Sequence, residues 1–552
     1  MTRRFAIAYL VTACLLYCGQ VAAFYDADLT PVDHYRPLRK NPVALVENGR
    51  RPLPVVCSDN RRDIYAAEYL AKSIFEITGR RPRVVIASPL TALLYREGFF
   101  VFSGEDVFLR RGGYRVRAAE NRVEFSGWAD YAVFDFVERV LGTRTYWDEN
   151  EGGRSVIRKK AIVLNAFEYD DSPEYDYRSQ GSYDRLPVFR TAKVGRERAG
   201  VLRVHAPHHW RTDPDVPRSV FALYLHALDA TTHHPTAPML CYSNPETLEY
   251  YERRIDEHIR GVRDSGGIVD VKAKLITVSP WDVEYACRCR RCMALYDRRD
   301  DYELGGASPI VWGSFLRPLA EWAKTEHPDY TIAFLPYWNY CDVPDGFDLA
   351  DLGNCEAMVC SMPGLARFKS PQIREAEETL LRDWRRVTGR PVVSWHYSCW
   401  PADSTPVPYA YGYDIVRHLD AMRGIVSGSF VCGGCDMSRF ALSLYIWNRA
   451  MWKPRLDVGK VYDEFSRRLF GPAAADIRAI LELEETAWNP DTLDYDLISA
   501  QEICRLLNNA NQTIFNPSVG GEMPAASTPS LQNRRALRYF AAGFGSYEQP
   551  LD

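Results

Sequence analysis

The stretch that decides the fold lies at residues 274–292 and reads Lys274-Leu-Ile-Thr-Val-Ser-Pro-Trp-Asp282-Val-Glu284-Tyr-Ala-Cys287-Arg-Cys289-Arg-Arg-Cys292. A short apolar run ends at a proline, and two carboxylates and three cysteines follow it. In a parallel β/α barrel, the loops at the carboxyl ends of the strands carry the catalytic groups. The pattern therefore predicts a buried strand whose end presents Asp282 and Glu284, which are the two candidate catalytic residues.

The region around this stretch, residues 171–455, alternates apolar runs with segments of helical periodicity. Strands that alternate with helices indicate a parallel α/β arrangement. Eight strands over about 280 residues match the size of a (β/α)₈ TIM-type barrel. The predicted strands are 175–178, 202–205, 219–225, 275–278, 331–335, 357–360, 391–395 and 425–431. The predicted helices are 245–262, 311–324, 371–387, 413–422 and 438–451.

The segments on either side of this barrel have different patterns. Within 24–170, apolar residues at helical spacing from Ile64 to Ile74 stop at Gly79, and short β-type runs surround them. This mixture predicts an α+β domain. Residues 456–552 are mostly helical in pattern. The sequence therefore predicts a multidomain α/β protein with an N-terminal α+β domain, a central barrel and a helical C-terminal region.

The first 23 residues have the features of a signal peptide. Met1-Thr-Arg3-Arg4 is basic, residues 5–17 are apolar, and Val21-Ala22-Ala23 offers a cleavage site. The apolar run is too short to span a bilayer. We therefore expect export to the periplasm or the exterior, with lipid anchoring through Cys14 as the alternative and no membrane span in the mature chain.

Composition narrows the class of ligand. The net charge of the 552 residues is −4, and the sequence has no long basic run, which argues against nucleic acid as a partner. Aromatic residues make up 13% of the chain, with 33 Tyr and 13 Trp. Such rings stack on sugar faces, although most aromatic residues of a large protein belong to its core. A carbohydrate substrate is the favoured partner, while the oligomeric state is not predicted.

Several motifs resemble a known family. Residues 66–79 and 125–147 are similar to the N-terminal domain shared by α-glucuronidases and β-hexosaminidases. The later motifs resemble the domain of unknown function 4838 group, which includes glycoside hydrolase family 163, the secreted endo-β-N-acetylglucosaminidases. Those later motifs are Leu240-Cys-Tyr-Ser-Asn-Pro-Glu246, Val278-Ser-Pro-Trp-Asp282, Ser394-Trp-His-Tyr397 and Leu444-Tyr-Ile-Trp-Asn-Arg-Ala-Met-Trp452.

The resemblance implies a secreted glycoside hydrolase that needs no cofactor. For N-acetylglucosaminides it implies retention with assistance from the substrate, whose acetamido oxygen attacks the anomeric carbon. Asp282 would orient the acetamido group, and Glu284 is the nearest acidic candidate for the proton donor. An exo-acting relative of the α-glucuronidases is one alternative, and a carbohydrate-binding relative without catalytic activity is another.

The chain departs from the family pattern at several positions. Trp281 replaces a usual asparagine, and His396 replaces a frequent aspartate. Ser361-Met-Pro-Gly364 stands where relatives frequently have a glutamate, and 430–435 is rich in cysteine where an acidic or Gln side chain is more usual. One acid of the family pattern is therefore missing, and this favours the alternative of a non-catalytic relative.

Further candidates for substrate contact lie at or near predicted strand ends. They are Arg178, His205, Trp281, Trp338, Trp395, His396 and Tyr397. Arginine and histidine side chains bind hydroxyl or carboxylate groups, and aromatic rings stack on sugars. A structural ion pair for Arg178, a loop role for His205 and core packing for the rings are the alternatives.

The cysteines leave three interpretations open. Cys287, Cys289 and Cys292 have spacing suited to a structural zinc ion, with Cys432 and Cys435 as available partners. Export would equally permit disulfides. Free buried thiols are the third interpretation, and the sequence alone does not decide among them.

Overall fold

The structure is a computed structural model of the chain. It describes residues 31–40, 42–47, 51–105, 109–179, 213–222, 239–361, 368–399, 410–433, 437–492, 494–515 and 530–542, together with residues 195, 196, 205, 210 and 544. The predicted signal peptide lies outside these residues. No helix within them is both long and apolar enough to cross a membrane.

The N-terminal part of the chain forms a mixed sheet with helices packed on it. Its elements are β1 His34–Pro37, β2 Val43–Val46, β3 Val55–Cys57, α1 Arg61–Thr78, β4 Val84–Ile86, α2 Pro89–Ala92, β5 Gly98–Val101, β6 Tyr114–Ala119, β7 Arg122–Gly127, α3 Ala129–Arg139, β8 Arg144–Thr145, β9 Arg154–Ser155, β10 Ile162–Leu164 and β11 Phe167–Asp171. Seven of these strands form one sheet in the order β1-β11-β6-β7-β5-β3-β4. Helix α1 begins at Asn60, whose side chain accepts from the Arg62 N–H, and ends at Gly79 with φ +73°. The predicted helix with its glycine stop is therefore present.

The central part alternates strands and helices. Its elements are β12 Tyr177–Ser179, β13 Gly195–Arg196, α4 Pro245–Ile259, β14 Val269–Asp270, β15 Leu275–Val278, α5 Arg290–Met293, α6 Arg317–Glu326, β16 Thr331–Phe334, β17 Cys355–Val359, α7 Pro371–Thr388, β18 Val392–Cys399, α8 Gly412–Ala421, β19 Val426–Gly433 and α9 Met437–Trp452. The eight strands form one sheet in the order β13-β12-β19-β18-β17-β16-β15-β14. The pairings from β15 through β19 to β12 are all parallel, so the predicted parallel α/β arrangement is confirmed as a curled half-barrel sheet.

The first parallel strand of this sheet pairs with the last. Tyr177 of β12 lies opposite Gly428 of β19. Gly428 has φ +151°, and a Cβ atom placed on it would lie 1.8 Å from the carbonyl oxygen of Tyr177. Only glycine therefore permits the two strands to approach this closely.

Two predicted elements differ from the structure. Residues 218–220 form a 3₁₀ turn after Pro217, in place of the start of the strand predicted at 219–225, and Phe221 makes only an isolated bridge to Leu240. The helix predicted at 311–324 begins with a π-helical segment, Pro309–Leu316, before α6. Pro318 has no N–H to donate, so the regular α-helical hydrogen bond is lost at that point. Residues 202–204 and 223–225 lie outside the described residues.

The C-terminal part is mostly helical. It contains α10 Val458–Phe470, α11 Ala474–Thr486, β20 Trp488–Asn489, β21 Asp494–Tyr495, α12 Leu497–Phe515 and α13 Leu531–Ala542. Buried residues of these helices join the same core as the central sheet.

Buried ion pairs connect the N-terminal sheet unit to the rest. Glu138 of α3 binds Arg449 of α9, and both side chains are almost fully buried. Arg144, which follows α3, places its Nε 2.9 Å from Oε1 of Glu464 in α10. A third connection is the bond from the Trp452 indole N–H to Asp171, at 2.8 Å. Because buried charges are costly unless they are paired, these contacts fix the units against one another.

A buried carboxyl in α11 makes stability depend on pH. Burial raises the pKa of Glu484 to about 8, and the charge of Glu485 adds to this increase. The folded state therefore holds the proton at a higher pH than the unfolded chain does. We expect the free energy of unfolding to fall as the pH rises from about 5 to about 8, by up to about 1.4 kcal/mol per pH unit. The variant Glu484→Gln should remove this dependence on pH.

Urea denaturation at several pH values measures the effect. Glu482→Gln is the matched control, because Glu482 lies on the same helix with a partly exposed side chain. It should keep the wild-type slope. The prediction would be contradicted if the free energy of unfolding depended on pH equally in the wild type and in Glu484→Gln.

Candidate functional site

The candidate site lies in the loop that follows β15 and has Asp282 at its centre. The side chain of Asp282 is 49% exposed. The hydroxyl of Tyr337, just after β16, donates to Asp282 Oδ1 at 3.0 Å. The hydroxyl of Tyr397 on β18 in turn donates to the Tyr337 oxygen at 2.9 Å. The carboxylate is therefore held at the carboxyl ends of three parallel strands, with Oδ2 towards His205.

The tyrosine pair, Tyr337 and Tyr397, supplies neutral hydroxyl donors. Burial raises the pKa of each phenol well above its usual range. Burial, and to a smaller extent the charge of Asp282, also raises the pKa of the Cys432 thiol to about 11. These groups therefore keep their protons at neutral pH, and the Tyr337 hydroxyl remains a hydrogen-bond donor to Asp282.

His205 lies on the other side of Asp282. Its Nε2 is 3.9 Å from Asp282 Oδ2, and its Nδ1 is 3.2 Å from the carbonyl oxygen of Pro280. Its backbone N–H donates to Ser279 Oγ at 2.9 Å, although the backbone has φ +58°. A non-glycine residue in this region is uncommon and is retained where the surroundings enforce it. The contacts with the Asp282 loop, residues 279–292, hold this conformation.

Aromatic rings surround these polar groups. Trp281 makes an edge contact with the His205 ring, at 6.2 Å between centroids. Trp395 packs on Phe430 at 4.3 Å and lies 6.2 Å from Tyr397. Trp338, in the loop after β16, packs against Tyr337 at 5.5 Å with φ +46°. The rings could present apolar faces to a sugar.

The structure places Arg178 and His396 away from these groups. On β18, Trp395 and Tyr397 point to one face, and His396 points to the opposite face. His396 is buried with Nδ1 3.3 Å from Glu377 Oε1 and Nε2 3.0 Å from Ser394 Oγ. Burial lowers its pKa well below the usual range, and the nearby His418 adds to this. The sequence does not show which face of a strand turns inward, so the prediction had combined residues of both faces.

Arg178 is also buried on the helix-covered face. Its Nη1 donates to the Tyr175 carbonyl at 2.6 Å, and its guanidinium lies 5.0 Å from the Trp452 ring. It therefore supports the packing of β12 against α9, and we do not include it in the proposed site.

Glu284 faces other carboxylates. Burial raises its pKa, and the charges of Glu303 and Asp300 raise it further. Its assignment as the proton donor stays a prediction.

Four cysteine side chains, three of them from the end of the Asp282 loop, meet and form the four-cysteine cluster. Its members are Cys241, Cys287, Cys289 and Cys292, whose sulfur atoms all lie within 4.8 Å of one another. Cys432, an available partner by sequence, lies near Asp282 instead, and Cys435 is outside the described residues. The sequence signal for Cys241 was the motif at 240–246, which contains it.

Tyr337 was also missed, although it follows the predicted strand 331–335. Tyr337→Phe should lower activity about tenfold or more, because a hydrogen bond to a charged group contributes roughly 1.5–3 kcal/mol. Steady-state kinetics on the substrate identified for the wild type measures the loss. Tyr302→Phe is the matched control, because Tyr302 lies among the acidic residues around Glu284. Equal losses in the two variants would contradict a special role for Tyr337.

The fold and the site define a multidomain α/β protein with a carboxylate at the carboxyl end of a curled parallel sheet. The chain belongs to the family described as domain of unknown function (DUF4838), whose model matches residues 153–482. The sequence matches no curated protein significantly.

Solved structures with partial similarity are glycoside hydrolases. One is a family GH115 4-O-methyl-α-glucuronidase, with 9% identity and a TM-score of 0.48 over 93% of this chain and 73% of the other. A β-N-acetylhexosaminidase from Bacteroides fragilis has 13% identity and a TM-score of 0.41 over 81% and 96% of the two chains. A GH20 exo-β-N-acetylglucosaminidase from Vibrio harveyi has 12% identity and a TM-score of 0.39 over 82% and 78%.

Proposed function

We propose that the chain is an exported glycoside hydrolase that acts on N-acetylglucosamine-containing glycans, with Asp282 as its central acidic group. The observation that carries this proposal is the half-exposed Asp282 carboxylate, whose Oδ1 accepts from the Tyr337 hydroxyl, which in turn accepts from Tyr397. The Trp281 ring and the imidazole of His205 lie beside it. A carboxylate with one committed oxygen and aromatic neighbours is suited to a sugar that carries an amide.

The chemistry uses the remaining carboxylate oxygen. Asp282 Oδ2 would accept the acetamido N–H of the substrate, which turns the acetamido oxygen towards the anomeric carbon. Attack by that oxygen forms a bond to the anomeric carbon as the glycosidic C–O bond breaks, and the leaving oxygen takes the proton of Glu284, the candidate proton donor. Water then opens the cyclic intermediate at the anomeric carbon with retention of configuration, and its proton passes to the Glu284 carboxylate. The negative charge of Asp282 stabilises the positive charge that develops on the acetamido group.

The proposal places this site in a (β/α)₈ barrel. The pairing of β12 with β19 supports this, because it joins the first and the last parallel strand as a closed barrel does. The basic and apolar pattern of residues 1–23 supports export.

A second candidate function is sugar binding without catalysis. The observation that favours it is the surroundings of Glu284, which are those of an acidic cluster. Ser361, the first residue of the segment where relatives frequently have a glutamate, hydrogen-bonds to the buried Glu377. Under this alternative, the Asp282 site would hold a glycan without protonating its leaving oxygen.

Two assays separate the candidates. Purified protein is incubated with a glycan panel and with an aryl N-acetylglucosaminide whose leaving group needs little protonation, and calorimetry measures binding of the same glycans. Turnover of both substrate types supports the hydrolase. Binding without turnover supports the second candidate, and neither binding nor turnover would contradict both.

A further inference from the structure

The four-cysteine cluster joins two loops that are distant in sequence. Cys241 precedes α4, and its sulfur lies 3.8 Å from that of Cys287, 46 residues further along the chain. The other members belong to the Asp282 loop and to the start of α5. We propose that this cluster binds a structural zinc ion, and the proposal does not depend on the function proposed above.

The distances between the sulfur atoms match a tetrahedral site. Cys241 Sγ lies 3.7 Å from Cys289 Sγ, 3.8 Å from Cys287 Sγ and 3.9 Å from Cys292 Sγ. Four sulfur ligands placed about 2.3 Å from a central zinc ion are separated by about 3.8 Å along each edge of the tetrahedron. The cluster therefore has the size that one zinc ion requires.

A disulfide arrangement fits these positions less well. A disulfide needs its two sulfur atoms about 2.05 Å apart. No disulfide joins these four cysteines in the structure, and their three separations from Cys241 are nearly equal, so no pair is singled out. Two disulfides would place the four sulfur atoms in two close pairs, whereas the four ligands of one metal ion are separated by similar distances.

Hydrogen-bond donors are directed at the sulfur atoms. The Tyr285 hydroxyl lies 3.3 Å from Cys292 Sγ, and it accepts the backbone N–H of Tyr242 at 3.2 Å. Its own hydrogen is therefore available to the sulfur. The backbone N–H of Cys292 donates to Cys289 Sγ at 3.4 Å, and Ser243 Oγ lies 3.0 Å from Cys292 Sγ. Donors of this kind stabilise thiolates and orient metal ligands.

Positive charges are available around the cluster. A zinc ion with four thiolates carries a net charge of −2. Arg288, Arg290 and Arg291 stand between the cysteines in sequence and are at least partly exposed. Arg288 also pairs with Glu303 at 2.5 Å, and Arg291 donates to the Asn244 amide oxygen at 3.2 Å, while the three guanidinium charges oppose the charge of the centre.

Metal analysis of the full-length protein tests the proposal. Protein prepared from zinc-supplemented cells without chelators should contain one zinc ion per chain by elemental analysis. Its native mass should exceed its denatured mass by that of the metal. Protein without metal would overturn the proposal. A mass lowered by the hydrogens lost would then indicate disulfides, and thiols that react freely with a thiol reagent would indicate free cysteines.

Removing and restoring the metal tests its structural role. A strong chelator should lower the Tm by about 5 °C or more, and zinc chloride should restore it. Cobalt in place of zinc should give the visible absorption of a tetrahedral thiolate site. A Tm that is unchanged after verified zinc loss would contradict a structural role.

Variants place the metal at this cluster. Cys292→Ser should lose zinc, whereas Cys355→Ser should keep it, because Cys355 is equally buried but lies outside the cluster. Zinc retained in full by Cys292→Ser would overturn the assignment. If that variant does not fold, the metal content and the cobalt spectrum of the wild type still decide the question.

Discussion

Replacing Asp282 by asparagine is expected to lower kcat by about 10²–10³, because the transition state loses a charge-assisted contact at the developing positive charge. The neutral amide can still accept the Tyr337 hydrogen bond, so the Tm should change little. Hydrolysis of an activated aryl N-acetylglucosaminide measures the loss, since that leaving group needs little protonation.

Glu284→Gln is the matched control for this experiment. Glu284 belongs to the same loop and has a raised pKa, but its electrostatic neighbours are Glu303 and Asp300. On the activated substrate it should retain most of its activity. Equal rates for the wild type and Asp282→Asn would remove Asp282 from the mechanism.

The second large effect concerns the ion pair between Glu138 and Arg449. Glu138→Gln should destabilise the protein by about 3–5 kcal/mol, because the buried Arg449 guanidinium then loses the carboxylate with which it is paired. Chemical denaturation measures the loss. Since the pair connects the N-terminal sheet unit to α9, the unit should also become sensitive to proteolysis at lower denaturant concentration.

Two further variants identify the cause of that effect. Glu68→Gln removes one partner of the exposed pair with Arg81, which is 2.7 Å long, and should cost less than about 1 kcal/mol. The double variant Glu138→Leu, Arg449→Met removes both buried charges and should recover much of the stability. A cost for Glu138→Gln as small as that for Glu68→Gln would contradict the prediction.

The sequence predicted those elements whose signals are local. Strand β15 is an apolar run that ends before a proline, and its predicted bounds, 275–278, are those observed. The position of Asp282 followed from that strand. The parallel order of the later strands followed from their alternation with helices.

Features that depend on strand orientation or on distant contacts could not be predicted in this way. The period of two along β18 separates Trp395 from His396, but it does not say which of them faces the helices. Cys241 contacts cysteines that lie far along the chain, and no local sequence pattern shows that these residues are close in space. The bond between Tyr337 and Asp282 likewise depends on how two neighbouring strand ends meet.

The close approach of Gly428 to Tyr177 has a consequence for how the chain folds. The two residues lie nearly half the chain apart, so loop-closure entropy must be overcome before their strands can pair. During synthesis, β12 leaves the ribosome long before β19 exists, so the edge of β12 that pairs with β19 lacks that strand until then. The edge that it exposes is a surface for unwanted association, and the nascent chain is therefore most vulnerable to aggregation in the interval between these two strands.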